Sequence, residues 1–409
     1  MEMTAMRIIV QKFGGTSLIN EERRNCAIKK IENAIKNDLK PVVVVSAIGR
    51  EGDPYSTDTL INMVKSVGIE PNPRELDMIM ACGEIISAVI MATSLKAKGF
   101  DTIAYTGGQS GIITDDSFTE AKILHVEPIN ILNSIKKGKI PVVCGFQGIT
   151  EYGDITTLGR GGSDVTASIL GEALGAELVE IYTDVEGVMT ADPKIVPDAK
   201  VIDTVFYNEV FQMAEYGAKV LHPRAVEIAM RSNIPLVIRS TVSDYKGTLI
   251  TNYDRSRSFR EDTDKIVTSV AYIDNRTQAK ILPNQMEYED FELIFNRIAE
   301  AGISIDMINI YPNQIYFIID EKQTEVLEEV LKELDCKYEI VHNCTKVTII
   351  GNRMRGIPGV MAKAVSALSK ENIEILQTSD SHTTISCLID SKYRSKAVNA
   401  LHNYFQLGD

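Results

Sequence analysis

Short apolar runs alternate with longer amphipathic or apolar stretches over roughly the first 250 residues. Arg7-Ile8-Ile9-Val10 and Pro41-Val42-Val43-Val44-Val45 are β-branched and apolar at nearly every position, as strands buried on both faces are. Thr102-Ile103-Ala104, Ile140-Pro141-Val142-Val143, Leu178-Val179-Glu180-Ile181 and Pro235-Leu236-Val237-Ile238 extend the series. Between them, helical spacing recurs near 20–37, 74–98, 127–137, 163–175, 207–216 and 223–232. Strands separated by helices of this length call for a mostly parallel sheet covered on both faces, an α/β domain over residues 1–250.

The pattern then breaks. Thr251 to Ser258 is polar and aperiodic and precedes Asp262-Thr263-Asp264-Lys265, which predicts a linker over 251–264. Beyond it, 301–320 and 371–390 align without gaps 70 residues apart, matching Ile303/Ile373, Ile305/Ile375, Ile315/Ile385, Ile319/Ile389 and Asp320/Asp390. Val267-Thr268 answers Val347-Thr348 at a spacing of 80, so the first copy is expected to carry about ten extra residues before its helix. Each copy reads strand, helix, strand, strand, helix, with turns at Pro312-Asn313 and Ser381-His382. The repeats are placed at 265–343 and 344–409.

Composition narrows the function classes. A chain of 409 residues exceeds one compact core. Its net charge of −13 argues against a nonspecific nucleic-acid or membrane surface, since both partners are negative. No window approaches the roughly 18 consecutive apolar residues of a membrane span, and the N-terminus runs into a strand without a signal-peptide pattern. The six cysteines form no CxxC pair and the five histidines no finger spacing, so they read as free thiols in a cytoplasmic protein without a side-chain metal site.

Two glycine loops carry candidate chemistry. Lys12-Phe13-Gly14-Gly15-Thr16-Ser17 lies between the first strand and the first helix, where free backbone N–H groups and a neighbouring ammonium suit an anion. A tight turn with a snorkelling Lys reads the same way. Thr156-Thr157-Leu158-Gly159-Arg160-Gly161-Gly162-Ser163-Asp164 precedes another helix; a cap explains Ser163 and Asp164 but not Arg160 among three glycines. Two such loops in one α/β domain suggest a nucleotide along the carboxyl edge of the sheet. Glu84 sits beside Gly83 within the apolar run Leu76 to Leu95, where a carboxylate must be solvated, paired, or turned to a ligand's ammonium. The run Tyr182 to Lys194 fits either a surface loop or a lid over a base.

Together, Lys12 to Ser17, Gly159 to Asp164, Thr183-Asp184-Val185-Glu186-Gly187-Val188 and Gly217-Ala218-Lys219-Val220-Leu221-His222-Pro223 resemble the four signature segments of aspartokinases. The resemblance covers essentially the whole chain. It implies an amino-acid kinase (carbamate-kinase-like) three-layer α/β sandwich followed by two α+β ferredoxin-like ACT domains. Ser46-Ala47-Ile48-Gly49-Arg50 and Ser381-His382-Thr383-Thr384-Ile385 are most similar to diaminopimelate- or lysine-regulated bacterial enzymes.

By that resemblance, Lys12 with Phe13, Gly14 and Gly15 would hold the ATP phosphates, and Asp164 would orient Lys12. Ser46, Phe146, Arg160 and Ser163 would line the aspartate pocket, and Glu84 would hold the α-ammonium. Thr183, Asp184, Met189, Lys194, Lys219 and Val220 would surround the nucleotide, Met189 standing where relatives often carry an aromatic. The expected cofactor is ATP with Mg²⁺, the acceptor L-aspartate, and no metal is held by side chains alone. An amino-acid effector (lysine, diaminopimelate or threonine) is expected at Asp306, Met307 and Ile308 or at Gln377, Thr378 and Ser379, with homodimers or homotetramers formed through the ACT domains. The second copy keeps the Gly356-Ile357-Pro358-Gly359 turn, which the first replaces with Leu282 to Tyr288. The rivals are another kinase of the same fold, acting on glutamate, acetylglutamate or a nucleoside monophosphate, and a non-catalytic amino-acid sensor.

Overall fold

The computed structural model describes residues 6–218, 221–252, 266–282, 288–311, 314–352, 354 and 357–408. The chain forms two compact units. The first comprises Met1–Val188, Val201–Ala214 and Lys219–Ser256; the second comprises Met189–Lys200, Glu215–Ala218 and Arg257–Asp409. The expected linker at 251–264 falls almost wholly outside the described residues.

The first unit runs β1 (Ile8–Phe13), α1 (Glu21–Lys36), β2 (Lys40–Val45), α2 (Thr57–Lys65), α3 (Pro73–Ala97), β3 (Thr102–Tyr105), β4 (Ile112–Thr114), β5 (Ile123–Val126), α4 (Ile129–Lys136), β6 (Ile140–Cys144), β7 (Gln147–Thr150), β8 (Ile155–Thr157) and α5 (Gly162–Leu174). It continues with β9 (Leu178–Thr183), β10 (Thr204–Phe206), α6 (Tyr207–Glu215), α7 (Pro223–Arg231), β11 (Leu236–Ser240) and β12 (Thr248–Thr251). Among the described residues the main sheet has the order β10-β12-β11-β9-β1-β2-β6-β3, parallel except for β11 against β12. Alternation along the central strands divides the layers. Phe13, Val43 and Val45 pack with Ala27, Ile28 and Ile31 of α1 and Ala88, Met91 and Leu95 of α3, whereas Lys12 turns to α5 on the opposite face. The expected three-layer arrangement is present.

Every strand and helix anticipated in this unit is there, and several others are added. The four-stranded sheet β5-β4-β7-β8 carries no sequence signal, because its strands are only three or four residues long. By length and composition alone α3 could cross a bilayer, although Glu84 interrupts its apolar run and half of its most apolar window is buried. It also bears two buried carboxylates, Asp77 and Glu84, on its packed face.

The second unit runs β13 (Ser269–Leu282), α8 (Tyr288–Glu300), β14 (Asp306–Tyr311), β15 (Gln314–Asp320), α9 (Thr324–Glu333), β16 (Lys337–Ile350), α10 (Val360–Lys370), β17 (Gln377–Asp380), β18 (Thr384–Asp390) and α11 (Arg394–Tyr404). The element order repeats as expected, but the ten-residue insertion is absent: β13 and β16 begin 68 residues apart. Val267 and Val347 are therefore not equivalent; the match reflects two β-branched strands of similar composition. The predicted turn at Pro312-Asn313 and the segment 283–287 lie outside the described residues, as does Gly356. Gly359, with φ +95°, caps α10.

Among the described residues its six strands join in one sheet, β14-β15-β13-β16-β18-β17. The two 14-residue strands pair antiparallel along their length, with bulges near Ile273 and Arg276, and each serves two cores. The ends Ala279 and Ile281 of β13 and the start of β16 (Tyr338, Ile340) cover the core of α8 and α9. The end of β16 (Val347, Ile349) and Val270 of β13 cover that of α10 and α11. Each core thus borrows a strand from the other repeat.

Candidate active site

The carboxyl ends of β9, β1 and β2 lie side by side, Phe13 being in register with both Val45 and Tyr182. At the end of β1 the chain turns through Gly14-Gly15 into a short 3-10 helix, Gly15–Ser17. The Gly14 N–H donates to the Tyr182 carbonyl at 3.1 Å, and the Gly49 N–H to the Gly15 carbonyl at 3.2 Å. A Cβ on Gly15 would lie 2.3 Å from the Ala47 carbonyl oxygen, so the turn and the loop after β2 touch backbone to backbone. Phe13 stacks on Tyr182 with ring centroids 4.8 Å apart. Beneath this edge, buried Glu180 accepts from Gln11 Nε2 and Tyr182 Oη and pairs with Arg239.

Lys12 points from β1 to the first turn of α5, its Nζ 2.6 Å from Asp164 Oδ1. Gly161 caps that helix in the left-handed region (φ +68°), and a Cβ there would strike His222 at 2.3 Å. Ser163 is buried against Gly145. Phe146 adopts a left-handed φ of +69° and donates its N–H to Thr166 Oγ1. Arg160 is exposed on the same loop, which Arg224 steadies through a bond to the Leu158 carbonyl.

Glu84 is the most perturbed acid of the site. Its side chain is 2% exposed; Oε1 accepts the Ala47 N–H at 3.0 Å, while Oε2 finds no partner. Burial pushes its pKa up to about 8, against the lesser opposing pull of the backbone N–H bonds. Ser46 precedes Ala47 and donates its own N–H to Phe13 O, so the same loop touches both the Gly-Gly turn and Glu84. Thr183 ends β9 and its hydroxyl bonds the next residue, Asp184, which pairs with Arg50.

One segment expected at the nucleotide is grouped elsewhere. Met189 and Lys194 belong to the second unit, where Ala191 and Val196 enter a hydrophobic core and Thr190 bonds buried His402. Lys219 and Val220 lie outside the described residues. Of the expected effector residues, the two sets converge. Gln377 Nε2 donates to the Met307 carbonyl and, at 2.7 Å, to Asn309 Oδ1, drawing the two edge strands β14 and β17 together. Asp306 pairs with Lys346, whose amine is buried and pushed down in pKa by desolvation. Ile308 is exposed, and Thr378 and Ser379 are half-buried.

Asp77 was not anticipated. Fully buried one heptad before Glu84, it accepts the N–H groups of Thr119 and Thr157 and the Thr157 hydroxyl, holding β8 and hence the Gly159–Gly162 loop to α3. The argument applied to Glu84, an acid on the buried face of an apolar helix, would have found it.

A profile of the amino acid kinase family matches residues 7–240, and an ACT domain profile matches 339–403. The chain is 44% identical over 402 residues to aspartokinase 1 of Bacillus subtilis, covering 98% of this chain and all of that one. This chain belongs to the aspartokinase family. As an aspartokinase it is a phosphotransferase, and its structural likenesses agree. Aspartokinase III of E. coli in complex with aspartate and ADP (R-state) superposes with a TM-score of 0.80 at 25% identity, over 97% of this chain and 99% of that one. The same protein with lysine and aspartate (T-state) gives 0.76 over the same shares. The fold and the kinase class that the resemblance to aspartokinases implied are borne out.

Proposed function

We propose that this enzyme transfers the γ-phosphoryl group of MgATP to the side-chain carboxylate of L-aspartate, giving 4-phospho-L-aspartate for the lysine, diaminopimelate, threonine and methionine branches. The observation that carries the choice of acceptor is Glu84, a buried acid with one oxygen bonded and one unpartnered. A free ammonium supplies the missing partner and returns the group to its ionised form. N-acetylated acids offer no such group. Arg160 and Ser163 then take the acceptor's carboxylates, with Ser46 and Phe146 closing the pocket. Support for the acceptor also comes from the E. coli relative solved with aspartate and ADP.

The chemistry asks little of a base, because an aspartate carboxylate with a pKa near ~4 is ionised at neutral pH. The barrier is anion meeting anion. Lys12, held by Asp164, and the N–H groups of the Gly14-Gly15 turn supply preorganised positive charge for the transferring group. Among the described residues no three His, Cys, Asp or Glu side chains cluster. Mg²⁺ would be held mainly by phosphate oxygens and water, where it would offset phosphate charge. Thr183, Asp184, Met189, Lys194, Lys219 and Val220 are assigned to the nucleotide by family resemblance.

ATP turnover measured across aspartate, glutamate and N-acetylglutamate tests the reading. Activity confined to aspartate is expected; preference for the acetylated acid would refute the role of Glu84, and turnover with none would leave an amino-acid sensor. The convergence of Met307 and Gln377 supports an end-product amino acid bound where β14 meets β17. Thermal-shift titration with lysine, diaminopimelate and threonine checks this by linkage. Assembly into homodimers or homotetramers through the ACT repeats, and residence in the cytoplasm, complete the proposal.

A further inference from the structure

Two cations stand at the ends of β1 and β2, and both are already neutralised. Lys12 pairs with Asp164, the two side chains being 12% and 14% exposed. Arg50, five residues past β2, pairs with Asp184, one residue past β9, at 67% and 42% exposure. The two pairs differ in what holds them. A sheltered pair keeps its Coulomb attraction, and separating it would strand a charge away from water; an exposed pair is screened, contributes little and exchanges readily.

Strand order gives the exposed pair its place. The sheet runs β9-β1-β2, so a bridge from the end of β2 to the end of β9 passes the carboxyl end of β1, where the Gly14-Gly15 turn lies. The loop carrying Arg50 is fixed there: Gly49 N–H bonds the Gly15 carbonyl, Arg50 N–H donates to Asp53 Oδ2 at 2.7 Å, and the Ala47 oxygen abuts Gly15. Its backbone is therefore anchored beside the turn, while its guanidinium is exposed and held by a screened ion pair.

We propose that Arg50 is a phosphate-binding residue of the kinase site, which exchanges the Asp184 carboxylate for the nucleotide's terminal phosphate when MgATP binds. The exchange rests on the reading of the Gly14-Gly15 turn as the phosphate site. A phosphate presents more charge and more acceptor oxygens than one carboxylate, and the guanidinium fork can meet it bidentately. The bridge thus spans the end of β1 and, once exchanged, places a second cation over the transferring group. Asp184 is released at the same moment to face the nucleotide.

The experiment uses the full chain with Arg50→Ala, Arg50→Lys and, as control, Lys12→Ala. It measures kcat, KM for MgATP, KM for aspartate, thermal midpoint, and binding of ADP and of the non-hydrolysable β,γ-imido analogue of ATP. For Arg50→Ala, kcat/KM for MgATP should fall by at least about tenfold. KM for aspartate should stay within about twofold, the analogue should lose more affinity than ADP, and the thermal midpoint should hold, as for an exposed ion pair. Arg50→Lys should recover part of the loss, since an ammonium keeps the charge but not the fork. Wild-type MgATP kinetics in Arg50→Ala, or equal losses of analogue and ADP, overturn the proposal. If Lys12→Ala is also silent, the phosphate site itself is misplaced; if only Arg50→Ala is silent, the exchange alone falls.

Discussion

Replacing Glu84 by Gln offers the sharpest probe of the acceptor pocket. Gln keeps the shape and an oxygen to accept the Ala47 N–H, but it cannot ionise. In the folded chain the acid is raised from 4.5 to about 8. At 1.36 kcal/mol per pKa unit, such a shift corresponds to a difference of about 5 kcal/mol between protonated and ionised forms. Between those two values the folded state holds a proton that the unfolded state has lost. Wild-type stability therefore declines as pH rises from 4.5 to about 8 and levels off above, whereas the Gln variant lacks this slope. Urea denaturation of both proteins across this range should show the variant gaining on wild type toward alkaline pH by a few kcal/mol.

Aspartate should reverse the penalty by supplying an ammonium. Its binding at pH 7 should release close to one proton in wild type and none in the variant, read by calorimetry in buffers of different ionisation enthalpy. KM for aspartate should fall as pH rises toward 8 in wild type only. A stability difference independent of pH, or equal proton release by both proteins, would refute the reasoning.

Lys12→Ala should mainly lower kcat, by roughly 100-fold or more, because its charge acts on the transferring group; steady-state kinetics with saturating MgATP and aspartate would check this. Gly15→Ala should abolish MgATP binding, since its Cβ would meet the Ala47 oxygen at 2.3 Å and one of the two backbones must move; equilibrium nucleotide binding is the measurement. Asp77→Ala leaves the buried N–H and hydroxyl of Thr157 and the half-buried N–H of Thr119 unpaired, which should cost about 3–5 kcal/mol in urea unfolding. Native thiol titration should label half-buried Cys26 and Cys82 well before Cys144, whose thiol burial pushes up to about 12.

Much of the catalytic unit was legible because its signals are local. Buried parallel strands such as Val42–Val45 need continuous apolar runs, and a helix start that receives an anion needs small residues, so β2, the Gly14-Gly15 turn and the Gly159–Asp164 loop declare themselves in a dozen letters. The short Thr-bearing strands β4, β7 and β8 escaped because neither period nor composition marks them; pairing with one another, and packing of β8 on α3, makes them strands. The repeat was visible as recurring Ile positions, yet its spacing before the helix was misread, since β-branched strands look alike in any register.

By itself, then, the sequence determined the alternation of strands and helices, the two glycine loops, the duplicated βαββα order and the candidate acids and cations. Tertiary structure decided their pairings. It left one oxygen of Glu84 bare, set Arg50 against Asp184 across β1, shared β13 and β16 between two cores, and placed 189–200 in the second unit. The reason is range: periodicity follows from which face of one element is buried, while a side chain's partner depends on strand order and on contacts between residues more than a hundred positions apart.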